Sequence, residues 1–188
     1  MRPGITRFAT SFLTLQSLME KKEKLRTMVT SDAWVECKHT KTTKGKAAYA
    51  TVVSMTFWNG VTLCLKVFAP LVKVLRLVDG DRKPSMGFLY GELLQAREEI
   101  NVAYKNVEVN YRPILEIIDQ KAKGRLDSPL HLAAYLLNPY YFFKDPSIQN
   151  DPIIMDAIFI CVEKFFPDDL SKQDVVINVE LLKYKRKD

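Results

Sequence analysis

The chain has 188 residues, 47% of them apolar and 11% aromatic, with a formal net charge of +6. That length and composition suffice for a buried core and exclude wholesale disorder. Cys37, Cys64 and Cys161 lack zinc spacing and cannot all pair, which suits a reducing compartment; the longest apolar run, 61–78, holds Lys66, Lys73 and Arg76 and is too interrupted to span a bilayer.

In chain order, Thr6 is placed to cap a first helix running to about Thr27. Phe8, Phe12, Leu15 and Met19 form its apolar stripe; Thr10, Thr14, Ser17 and Lys21 form a polar one. Ser31 can cap a short turn holding Trp34. The stretch KHTKTTKGK, 38–46, has the threonines, lysines and glycine of a loop. From Ala47 to Val78 the chain is densely apolar, with Phe57, Val61, Leu65, Phe68, Val72 and Leu75 on one helical stripe and Val67, Leu71, Val74 and Val78 on another. A helix apolar on most sides is central and buried, with interruptions expected at Asn59-Gly60 and Pro70. The segment Tyr49 to Phe57 is rich enough in β-branched residues for a strand, although helix is the favoured reading.

DGDRKP, 79–84, is a turn, and Pro84 begins a helix to about Lys105 with Leu89, Leu93, Ala96, Ile100 and Ala103 inward. A helix from Arg112 to about Lys123 is built on Ile114, Ile117 and Ile118. Ser128-Pro129 starts the next, with Leu130, Ala133, Ala134 and Leu137 inward, and Asn138-Pro139 stops it. Asp151-Pro152 repeats the cap-then-proline signal for a helix to about Phe166, and Ser171 with Asp174 resembles a capping box for a last helix. The expected class is mostly α, one multi-helix domain over 1–188 with little or no β-sheet.

The charge excess has a definite address. Residues 1–46 hold ten Lys/Arg against four Asp/Glu, whereas 47–188 hold eighteen of each. This separates a basic N-terminal part, 1–46, from a charge-balanced helical body, 47–188. Lys21, Lys22, Lys24 and Arg26 form one cluster and Lys38, Lys41, Lys44 and Lys46 a second, beside His39. Clustered cations of this kind displace counterions from phosphates, and on charge alone nucleic-acid contact and a solvated helix end with a mobile loop are equal readings.

Catalytic signatures are sparse. There is no phosphate-binding glycine loop, dinucleotide fingerprint, nucleophile elbow or zincin helix. His39 and Cys37 alone do not make a metal site, and His131, in a first helical turn, is expected to be hydrogen-bonded rather than a base. Asp79 and Asp81 have the chemistry of a turn; Asp119 lies on an amphipathic helix. Trp34, Trp58 and Tyr140 to Phe143 are expected to serve packing more than base stacking. No cofactor or metal is expected.

Several longer segments resemble the plant hAT-superfamily transposase-like proteins, in the order that family uses. They are RPGITRFATSFLTLQSL, MVTSDAW, FWNGV, PLVKVLRLVDGDRKPSMGFLYGELLQAREEI and SPLHLAAYLLNP. The resemblance implies part of the helical insertion of a ribonuclease H-like DDE transposase, with the catalytic carboxylates outside these residues, so that the chain looks like a fragment or a truncated product without enzyme activity. It implies DNA as partner, a nuclear location, and homo-oligomers or other transposase-like chains as further partners. In the family a Thr-Arg-Trp-Asn-Ser-like element handles transposon-end DNA; Arg7 matches its arginine and Phe8 its tryptophan, while Ala9 lacks the amide. Lys121-Ala122 stands where the family has a basic-Trp pair. A DNA-binding set of Arg7, Phe8, Lys21, Lys22, Lys24, Arg26, Lys38, Lys41, Lys44 and Lys46 follows. The other reading is a protein-interaction or dimerisation module without DNA binding, using the apolar helices 153–166 and 175–184.

Overall fold

Helix is the only regular structure among the described residues, which in this computed structural model are 8–80 and 85–186, with side chains described from Thr10 onward. The chain forms two compact units, Met1–Val72 and Lys73–Asp188. The division falls inside one long helix.

The first unit begins with α1 (Phe8–Glu20) and α2 (Lys22–Val29), followed by α3 (Asp32–Glu36) and α4 (Thr43–Val53). One helix to Thr27 was the expectation. The chain instead breaks at Lys21, whose amide donates to the Leu18 carbonyl at 3.2 Å. The cap expected at Thr6 lies outside the described residues. Ser31 does cap α3, its hydroxyl accepting from the Trp34 amide at 3.3 Å.

The apolar stretch after residue 46 is two helices, α4 and α5 (Met55–Val78), with no strand among the described residues. Its break falls at Ser54, not at Asn59-Gly60 or Pro70. Ser54 is extended, and its hydroxyl accepts from the Phe57 amide at 3.2 Å, satisfying a donor at the start of α5. Trp58 then donates its indole N–H to the Val52 carbonyl at 2.7 Å, so a side chain of α5 closes the end of α4. Trp58 is the largest fully buried side chain of the described residues. Pro70 sits inside α5 with Val67, Val72 and Val74 buried around it, and that burial outweighs one missing hydrogen bond. The expected all-round burial of α5 does not hold, because Leu63, Leu75 and Val78 are exposed.

The second unit comprises the end of α5 with α6 (Met86–Ala103), α7 (Glu108–Ala122), α8 (Pro129–Leu136), α9 (Pro139–Lys144), a 3₁₀ turn (Pro146–Asn150), α10 (Pro152–Phe165), α11 (Leu170–Val175), a π turn (Val176–Glu180) and α12 (Leu181–Arg186). Its core joins α8, α9, α10 and α12 through Leu132, Leu136, Phe142, Ile154, Ile158 and Leu181. Helix α6 packs on α8, and Leu89, Leu93, Ala96 and Ile100 are buried as their spacing predicts. The inward set of α8 is different from the expected one. Leu132, Ala133, Tyr135 and Leu136 are buried while Leu130 and Leu137 are exposed, because α6 and α10 cover α8 from two sides. Ile117 of α7 is likewise exposed. Asp151 caps α10 as expected, accepting from the Ile153 amide at 2.9 Å. The cap of α11 is Asp169, accepting from the Lys172 amide at 3.0 Å; Ser171 lies within the helix.

Gly91 explains how closely α6 can approach the tyrosines of this unit. A Cβ there would meet the ring of Tyr141 and lie 2.8 Å from Cε2 of Tyr135. Tyr135 and Tyr141 have ring centroids 4.7 Å apart, and the Tyr141 hydroxyl donates to the Phe88 carbonyl at 3.2 Å. Burial, with the Glu92 carboxylate beside it, pushes the Tyr141 phenol well above its usual range.

Candidate nucleic-acid interface

The charge division follows the structural division more closely than the sequence alone suggests. The first unit carries eleven Lys/Arg against four Asp/Glu, the second seventeen against eighteen. Every ion pair within 4 Å among the described residues lies in the second unit. The described basic side chains of the first unit therefore have no carboxylate partner among the described residues.

These side chains come from two places that the fold joins. Lys21 is the exposed break between α1 and α2; Lys24 is exposed and Arg26 half-buried on α2. Lys22 is held differently: its Nζ lies 5.6 Å from the centroid of the buried Trp58 ring, a cation–π contact between α2 and α5. The second group follows α3. Helix α2 packs on both α3 and α4, so both basic segments belong to the same packed set of helices. Arg7 lies outside the described residues, and Phe8 is placed only as the first residue of α1.

The segment expected as a loop over 38–46 is a loop only as far as Thr42. Lys38 and Lys41 are exposed on that turn, whereas Lys44 and Lys46 are exposed in the first turn of α4. Thr42 is the reason. Its hydroxyl accepts from the Gly45 amide at 3.1 Å and donates to the His39 carbonyl at 2.6 Å, capping α4 and tying the turn to it. Gly45 permits this approach: a Cβ would collide with the His39 carbonyl and lie 2.9 Å from the Thr40 Cα. The Thr42-to-Gly45 spacing was the available signal for a cap, hidden by the threonines and lysines around it.

Two lysines in the first turn of α4, with no acid there, place positive charge where the helix field is already positive. That arrangement costs stability alone and is relieved by an anion. Beside it is an open depression of about 580 Å³ lined by Trp34, Cys37, His39, Thr40, Lys44 and their neighbours. His131, in the second unit, is hydrogen-bonded as expected, its Nδ1 lying 2.6 Å from the Ser128 hydroxyl. Asp119 pairs with Arg97. Asp79 is exposed, and Asp81 lies outside the described residues. Among the described residues no group of three or more His, Cys, Asp or Glu could hold a metal ion, and no helix is long and apolar enough to cross a membrane. The chain matches no known family model, no curated protein and no solved structure.

Proposed function

We propose that the first unit binds DNA through its phosphates, as a transposase-derived domain that works in the nucleus and carries no catalytic triad of its own. The observation behind this reading is the concentration of the entire charge excess in that unit, whose described basic side chains have no carboxylate partner among the described residues. Lys21, Lys24, Arg26, Lys38, Lys41, Lys44 and Lys46 supply the phosphate contacts, while Lys22 lies against the Trp58 ring. Contacts of this type position a duplex without reading its sequence. The hAT-like segments favour DNA over other polyanions.

The test is fluorescence anisotropy of a labelled duplex with the full chain across a salt series. Affinity falls linearly with salt on logarithmic axes. Replacing Lys38, Lys41, Lys44 and Lys46 by Gln makes the slope shallower by roughly 3.6, at about 0.9 for each neutralised phosphate contact. Salt-independent affinity, or an unchanged slope in the variant, defeats the reading.

A second reading, self-association, rests on the second unit. A groove of about 380 Å³ there is lined by Leu130, Leu137, Phe165, Phe166, Val176 and Tyr184 among others, with Phe165 64% exposed. Exposed apolar surface of this kind favours association. Sedimentation at several concentrations tests it, and a concentration-independent monomer rejects it.

A further inference from the structure

The two tryptophans of the first unit do different work. Trp58 is 1% exposed and its indole N–H is taken by the Val52 carbonyl. Trp34 is half-buried, and its indole N–H has no acceptor among the described residues. It lines the depression of about 580 Å³ together with His39 and Lys44, a volume in the range of small-molecule sites. Lys38, Lys41 and Lys46 stand exposed on the segments that form its rim. Indole is a large aromatic face with a polar edge, and stacking on it is insensitive to which base is presented. Positive charge for the backbone combined with an aromatic face for the bases is the composition of single-strand binding surfaces.

We infer that this depression takes an unpaired nucleobase of single-stranded DNA, stacked on Trp34, with Lys44 on the adjoining phosphate. The inference rests on the DNA-binding reading of the first unit and narrows it to a preferred form of DNA. Bases in a duplex are already stacked and turned inward, so duplex DNA meets only the lysines. A single strand meets the lysines and Trp34 together.

The experiment titrates the full chain with oligothymidylate and with a duplex of equal nucleotide number, reading anisotropy and tryptophan emission. Oligothymidylate is expected to bind more tightly and to quench the emission of half-exposed Trp34, while buried Trp58 stays bright. Trp34→Ala loses roughly 5- to 150-fold of the oligothymidylate affinity, the span of one base–aromatic stack, and keeps its duplex affinity. Trp34→Phe retains packing and most of the binding but abolishes the quench, which keeps the test decisive if the alanine variant fails to fold. Duplex binding with the expected salt slope but no quench by oligothymidylate overturns the stacking site and leaves the phosphate-binding reading intact. A quench that survives in Trp34→Phe also overturns it. Absence of binding to either DNA removes the underlying reading instead.

Discussion

Gly91→Ala adds one methyl at the place where α6 lies against Tyr135 and Tyr141. In an exposed helix the same change stabilises by about 1 kcal/mol, because alanine has less backbone freedom to lose. Here the new Cβ would be 2.8 Å from Cε2 of Tyr135 and closer still to the Tyr141 ring. Neither ring can swing away without loss. The two rings are in tilted contact, both are buried, and the Tyr141 hydroxyl is tied to the Phe88 carbonyl. Overpacking of this severity costs about 3 kcal/mol, the upper part of its usual range, leaving a net loss of about 2 kcal/mol once the helix preference is subtracted. For a unit of this size the thermal midpoint falls by roughly 10 °C. Gly60→Ala is the matched control, since a Cβ there has nothing within 4 Å and the residue is exposed. It should gain up to about 1 kcal/mol. Circular dichroism during heating and urea titration measures both. A double-mutant cycle with Tyr141→Leu isolates the Tyr141 share of the clash, because the smaller side chain removes the closer of the two ring contacts and the effects then cease to add, while the contact with Tyr135 remains. The reasoning is refuted if Gly91→Ala is as stable as the parent, or if the two substitutions are additive.

The other expectations concern caps, approach distances and protons. Trp58→Phe leaves the Val52 carbonyl without its 2.7 Å donor and opens space in the core, so the first unit should lose about 2 kcal/mol in urea unfolding. Gly45→Ala pushes the His39–Thr40 backbone off α4, which should lower the melting point of that unit and shift Trp34 emission; an unchanged spectrum contradicts the close approach. The phenols of Tyr141, Tyr135, Tyr90 and Tyr184 are all raised, first by burial. Above the ordinary tyrosine value of 10.0 the unfolded chain releases these protons while the folded chain retains them. Stability is therefore full below pH 10.0 and falls as pH rises beyond it, and Tyr141→Phe should make that fall shallower in pH-dependent urea unfolding.

Local chemistry made much of the chain legible. Asp151-Pro152 started a helix where its side chain and fixed φ require it, Asn138-Pro139 ended α8 as read but also began the unanticipated α9, and the Leu89-to-Ile100 spacing gave the buried face of α6. The basic clusters were equally visible, because charge count needs no coordinates. Periodicity failed where more than one neighbour covers a helix: α8 lies between α6 and α10, so its buried arc is wider and turned from the expected stripe. It failed again at Lys21 and Ser54, where a break is satisfied by local hydrogen bonds that apolar spacing does not record.

The candidate site divides in the same way. Lys21 to Lys46 could be named from sequence, since excess charge is a property of composition. Which of those cations stays unpaired, and that Lys22 sits on an indole instead, depends on side chains from distant segments. The two tryptophans are equivalent as letters. Their separation into a buried brace and a half-buried ring was decided only when α5 folded Trp58 back onto the end of α4 and Thr42 and Gly45 drew the 37–42 turn against α4, leaving Trp34 among the residues that line a depression. Composition and periodicity determine what a segment can bury; the partner that buries it, and the surface left over, are set by tertiary contacts.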